Sequence, residues 1–135
     1  MLRQVSLPGA ETFAVFQVIF NTISAAEISQ LETMEQLELL SRFQVTPEQL
    51  ENLDGENFGQ VNREGKTLYR YRAGDHRIYF SMEEGNVIVH RVLNRNSFSD
   101  FLYRSTQLPV AEDEELAKSR GFWKLIEDGE NAERV

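Results

Sequence analysis

The stretch Tyr69 to Phe80, YRYRAGDHRIYF, gathers three arginines, three tyrosines and a histidine around one Gly-Asp pair. Arginine suits phosphate or carboxylate binding, because its planar fork donates two parallel hydrogen bonds and stays charged at any physiological pH. A histidine alongside can move a proton near neutrality, which makes His76, next to Arg77, the acid–base candidate. The chemistry open to such a group is phosphate binding, or phosphodiester cleavage in which an arginine steadies the phosphate charge. The competing reading is a solvated sheet face, with Arg70, Arg72, Arg77 and Arg95 paired across strands to Asp75, Glu83 and Glu84.

The whole chain is acidic, with a formal net charge of -8 over 135 residues. A net anion repels nucleic acid, so non-specific RNA or DNA binding by the entire surface is excluded. The charge is uneven, however. Eight of the 14 Lys and Arg but only five of the 22 acids fall between Val61 and Arg104, leaving a basic middle of +3. Arg63, Lys66, Arg70, Arg72, Arg77 and Arg95 are therefore the candidate residues for binding RNA or an acidic partner. With no cysteine, disulfides, thiolate metal ligands and a cysteine nucleophile are excluded. His76 and His90 are the only histidines and lack a ligand spacing, so neither a metal nor any other cofactor is expected. The N-terminal stretch shows no signal-peptide pattern and no apolar run long enough for a span, which predicts a cytoplasmic protein away from membranes.

The elements that must position these residues follow from patterning. TFAVFQVIF, Thr12 to Phe20, is β-branched and aromatic and reads as a buried strand. Ser24 and Glu27 have capping-box spacing, which starts a helix at Ala25; Thr33 offers a second cap, allowing two shorter helices. Ile28, Leu31, Met34, Leu37, Leu40 and Phe43 recur every three residues and predict one core-facing stripe. Thr46 with Pro47 predicts a short third helix. DGENFGQVNREGK reads as a loop or a weak strand, and KTLYRYR, HRIYFSM and VIVHRVL as an antiparallel meander turned at AGD and EEGN. On the first of these strands Tyr69 and Tyr71 share one face, while Leu68, Arg70 and Arg72 share the other. Ser97 and Asp100 have capping spacing and predict a further short helix.

The order of strand, helices and meander, with YRYRAGDHRIYF followed by NVIVHRVLNRNSFSDF, resembles the RelE/ParE toxin superfamily from about Phe13 to Arg104. The resemblance implies an α+β fold: a small antiparallel sheet of about four strands with N-terminal helices packed on it. It also implies phosphate-directed roles for Arg77, Arg95 and Arg70. The ribonuclease branch cleaves mRNA in the ribosomal decoding site without a metal, and a cognate antitoxin would be the natural partner. Two positions depart from that branch. Leu68 stands where it carries a lysine, and Phe101 near its tyrosine; neither can donate a proton. Tyr103 can substitute for that tyrosine only if the segment turns differently.

These features predict a RelE/ParE-like domain over residues 1–108 and an acidic helical tail over residues 109–135. The function expected is a non-toxic binding regulator whose basic sheet face takes RNA or an acidic protein of the RNA-processing or translation machinery. The alternative is a ribosome-dependent, metal-independent endoribonuclease. The tail has Leu116 and four further apolar anchors, Phe122, Trp123, Leu125 and Ile126, and Gly121 is expected to interrupt it. Three roles stay open for it: an idle acidic tail, an intramolecular cover of the basic face, or a docking element with those anchors exposed.

Overall fold

A computed structural model of the chain describes residues 16–94 and 109–135. It is α+β, with a five-stranded mixed sheet in the order β1-β5-β4-β3-β2. The strands are β1 (Gln17–Phe20), β2 (Phe58–Arg63), β3 (Lys66–Ala73), β4 (His76–Glu83) and β5 (Asn86–Asn94). β1 runs parallel to β5, and every other pairing is antiparallel. The stretch read as a loop or weak strand supplies β2, so the sheet has one strand more than expected. β2 is held because Phe58 and Val61 are buried on opposite sides of it, in the two separate cores.

Three tight turns order the meander. Glu64 and Gly65, and again Glu84 and Gly85, have positive φ at both central positions, as a type I′ hairpin requires. Gly74 has a positive φ of 60° and serves the β3–β4 turn; a Cβ there would meet nothing, so backbone freedom rather than space is what the glycine supplies.

Helices cover both faces. On one side lie α1 (Thr22–Ser29), α2 (Thr33–Arg42) and α3 (Pro47–Glu51). Ile28, Leu39, Phe43 and Val45 pack there on Phe58, Ile78, Phe80 and Val89, with Tyr69 and Tyr71 partly buried at the margin. The tyrosines therefore serve core packing, and the Tyr69 ring stacks on Phe80 at 5.5 Å. On the other side lie α4 (Pro109–Ala117) and α5 (Arg120–Glu130). Leu116, Phe122, Trp123 and Ile126 meet Val61, Leu68, Tyr79 and Leu93 in a second core. Residues 109–135 are thus the second helical layer rather than a tail, because their apolar residues close the sheet face that α1 to α3 leave open. Burying four such side chains contributes roughly 6–12 kcal/mol before entropic costs.

Local signals shifted by a few residues. α1 is capped by Asn21, not Ser24; the Asn21 side chain accepts from Ser24 N at 2.7 Å, and Ser24 Oγ accepts from Asn21 N at 3.0 Å. The Asn21 amide also reaches the carbonyls of Val89, His90 and Gly129, fixing this corner to β5 and α5. α2 starts at Thr33 with Glu32 as N-cap and no side-chain cap bond. Thr46 and Pro47 start α3 as expected. The break in the C-terminal helices falls at Lys118 and Ser119, with Ser119 capping α5, so Gly121 lies inside its first turn. The predicted helix at Ser97 and Asp100 lies outside the described residues, as do Thr12 and the rest of the first strand before Phe16.

Candidate functional site

β3 and β4 bring the arginines together. Arg70 lies opposite Tyr79 and Arg72 opposite Arg77 in the antiparallel register. Alternation sends Arg70 to the same face as Leu68, toward α4. Arg77 reaches α4 as well, one strand over.

There α4 presents two consecutive carboxylates, Glu112 at the end of its first turn and Asp113 just after it. Asp113 takes Arg70 bidentately, with Nε donating to Oδ1 at 3.1 Å and Nη2 to Oδ2 at 2.7 Å. Glu112 takes Arg77 in the same way, at 2.7 Å from Nε and 3.3 Å from Nη2. Backbone carbonyls accept two further bonds from each guanidinium: Gly55 and Glu56 from Arg70, Gly74 and His76 from Arg77. The Arg70 side chain is 0% exposed and that of Asp113 6%. Gly59 makes room for the pair, since a Cβ there would run into Arg70 Nη2. Fork-to-carboxylate geometry of this kind is charge-assisted and directional, but desolvating both ions offsets most of the attraction. Burial pushes the Asp113 carboxyl above its usual range, with the Arg70 guanidinium pulling it back.

Tyr79 sits between the two pairs, and its hydroxyl has no hydrogen-bond partner among the described residues. Burial, and then the Glu112 and Asp113 charges, push that hydroxyl well above its ordinary value, so it remains protonated.

The other sequence candidates are dispersed. Arg72 lies 3.6 Å from Glu56 and is partly exposed, Lys66 pairs with Glu130, and Arg63 stands 5.8 Å from the centre of the Trp123 ring. His76 Nε2 is 3.3 Å from the Asn94 amide, and the residue lines a separate cleft rather than the sealed pairs. That cleft, of about 500 Å³, runs between the β3–β4 turn and α2, where Glu35, Glu38 and Arg42 line the opposite wall. Arg95 lies outside the described residues, as do Phe101 and Tyr103. The anchors Phe122, Trp123 and Ile126 are buried and Leu125 is half-buried, so they are not an exposed docking surface: their apolar side chains are spent on the second core.

Of the three roles left open for residues 109–135, this geometry matches the intramolecular cover of the basic face, although the sequence did not single out the carboxylates that form it. Glu112 and Asp113 were visible only as members of an acidic run. Glu27, expected to cap α1, instead takes Arg91 at 2.6 Å and accepts from Val92 N, joining α1 to β5. His90 is the extra residue of a β-bulge opposite Tyr79 and Phe80. Its Nε2 is 2.8 Å from Ser81 Oγ, while Nδ1 has no partner among the described residues, so no third group orients it for nucleophilic catalysis. Among the described residues no cluster of three or more His, Asp or Glu is placed to hold a metal ion, and no helix is long and apolar enough to cross a membrane.

No protein-family model and no curated protein sequence matches this chain. In the structure Arg70 and Arg77 are already supplied with anions from within the molecule.

Proposed function

We propose that this chain is a RelE/ParE-like domain acting in the cytoplasm as a non-toxic binding regulator of RNA processing or translation, with a protein of that machinery as its partner. The observation that carries the reading is the occupation of Arg70 and Arg77 by Asp113 and Glu112. A phosphate would have to displace a bidentate carboxylate from each arginine and would meet two anions in doing so. Leu68 points the same way: it stands at the ribonuclease branch's lysine position and is 1% exposed, packed as core. The sheet-and-helix layout is compatible with the resemblance.

Of the two ligand classes considered, a protein is favoured over RNA. Phosphate backbones need contiguous cations. Of the candidate cations left exposed or partly exposed among the described residues, Arg72 and Lys66 each lie beside a carboxylate and Arg63 stands apart over the Trp123 ring.

The test is expression in cells, followed by growth and mRNA integrity, for the wild type and for the Glu112→Gln/Asp113→Asn variant that releases the arginines. Both are expected to leave growth unchanged. Codon-dependent mRNA cuts with growth arrest, abolished by Arg77→Ala, would establish the ribonuclease instead, with α4 as its cover if only the released variant is active. Thermal unfolding of the purified variant shows whether it is folded. Point variants are required because removing α4 and α5 would also remove Leu116, Phe122, Trp123 and Ile126 from the core.

A further inference from the structure

α2 is anchored along one side and bare along another. Leu39, and Phe43 just beyond the helix end, are buried. Met34, Leu37 and Leu40 are instead 75%, 58% and 40% exposed. The three-residue stripe predicted to face the core therefore splits. α2 carries leucines on two sides, and Leu39 with Phe43 and Ile28 already fills the space over the sheet. Residues three apart on a helix are surface neighbours, so the exposed three form one ridge. Isolated exposed apolar side chains are ordinary, but a contiguous ridge marks an interaction surface.

The charge around the ridge selects its occupant. Between Thr22 and Glu51 the chain has six glutamates and one basic residue, Arg42. Glu27 is engaged by Arg91. Glu35 and Glu38 stand beside the ridge and form no ion pair among the described residues; the cleft they face is lined by Asp75 and, on the side away from the ridge, by Arg72 and His76, with Arg42 the one cation on α2 itself. Such a surface repels RNA and anionic lipid. A second copy docking through the same ridge would bring Glu35 and Glu38 against their own equivalents, which is unfavourable in a two-fold interface. An α-helix with apolar residues at three- and four-residue spacing, flanked by lysine or arginine, matches both the ridge and its charge.

We propose that the Met34–Leu37–Leu40 ridge of α2 is the docking site for a basic amphipathic helix of a partner protein. The site is separate from the sealed arginines and stands whether or not the chain is a regulator. The binding assay below and the growth assay above therefore fail independently.

The probe is a synthetic peptide of about 18 residues, long enough to form helix, with leucines at helical spacing and lysines on both flanks. Its twin has glutamate at every lysine position. Fluorescence anisotropy is expected to show saturable binding of the lysine peptide that weakens as salt rises, with amide shifts centred on α2, and no binding of the twin. Met34→Ser/Leu37→Ser should lower affinity at least about tenfold with an unchanged unfolding temperature, since both side chains are exposed. Glu35→Gln/Glu38→Gln should lower affinity and flatten the salt dependence. Equal binding of the two peptides, or unchanged affinity in the serine variant, would overturn the proposal. Self-association of the protein that the serine variant abolishes would also overturn it, assigning the ridge to a second copy. So would displacement of the peptide by a single-stranded RNA oligonucleotide.

Discussion

Replacing Asp113 by alanine breaks one of the two buried ion pairs that α4 makes with the sheet. The side chains of Arg70 and Asp113 are 0% and 6% exposed, so removing the carboxylate strands a guanidinium where water does not reach. Two unit charges about 4 Å apart attract by about 4 kcal/mol at an effective dielectric constant near 20. Breaking a buried pair from one side typically costs about 3–5 kcal/mol. Arg70 keeps its bonds to the Gly55 and Glu56 carbonyls, which favours the lower end. The expected loss is about 3 kcal/mol, a large share of the roughly 5–15 kcal/mol that stabilises a domain. Arg70→Met/Asp113→Leu removes both charges and fills the space with apolar atoms; it should come within about 1 kcal/mol of the wild type or exceed its stability. Urea unfolding of the wild type, Arg70→Met, Asp113→Leu and the double variant gives the coupling energy directly. A loss below about 1 kcal/mol for Asp113→Ala would refute the reasoning, because it would mean that Arg70 finds water or another anion once α4 lets go.

Tyr79→Phe removes a buried hydroxyl with no partner among the described residues. It should leave stability unchanged or raise it by up to about 1 kcal/mol; a loss of more than about 1 kcal/mol by urea unfolding would show that the hydroxyl is bonded. Burial holds the His90 imidazole below its ordinary pKa, with Lys66 and Arg134 acting in the same direction and Glu130 and Glu83 opposing. The unfolded chain therefore takes up this proton first on acidification, so stability is full above about pH 6.5 and falls as the pH drops through that value toward the folded pKa. His90→Gln should flatten the fall in unfolding temperature between about pH 7.5 and 5.5; identical slopes in the two proteins would remove His90 as its source.

The local devices of this fold were legible in the residues because each needs only neighbours in the chain. Gly74 and the EEGN turn set the meander, Thr46 and Pro47 set α3, and alternation in KTLYRYR placed Arg70 and Tyr71 on opposite faces. Local signals were weaker where two residues competed for one role. Asn21 took the cap that Ser24 and Glu27 could have formed, which left Glu27 for Arg91. For the basic middle the residues offered a choice of roles, among them a cover by residues 109–135, without naming which carboxylates would meet which arginines. Arg70 and Asp113 are 43 residues apart, and Arg77 and Glu112 are 35. Composition shows that cations and anions both exist; only the packing of α4 and α5 on the second sheet face decides that they meet out of water. The same distinction applies to α2. Its leucine period was visible, but which leucines would be buried depended on how little of the sheet remained uncovered beside Ile28 and Phe43. Short-range spacing and backbone preference thus specified most strands, turns and helices, whereas burial, which sums contacts from the whole chain, placed Arg70 and Arg77 in internal ion pairs and divided the expected core stripe between buried Ile28 and Phe43 and the exposed Met34, Leu37 and Leu40.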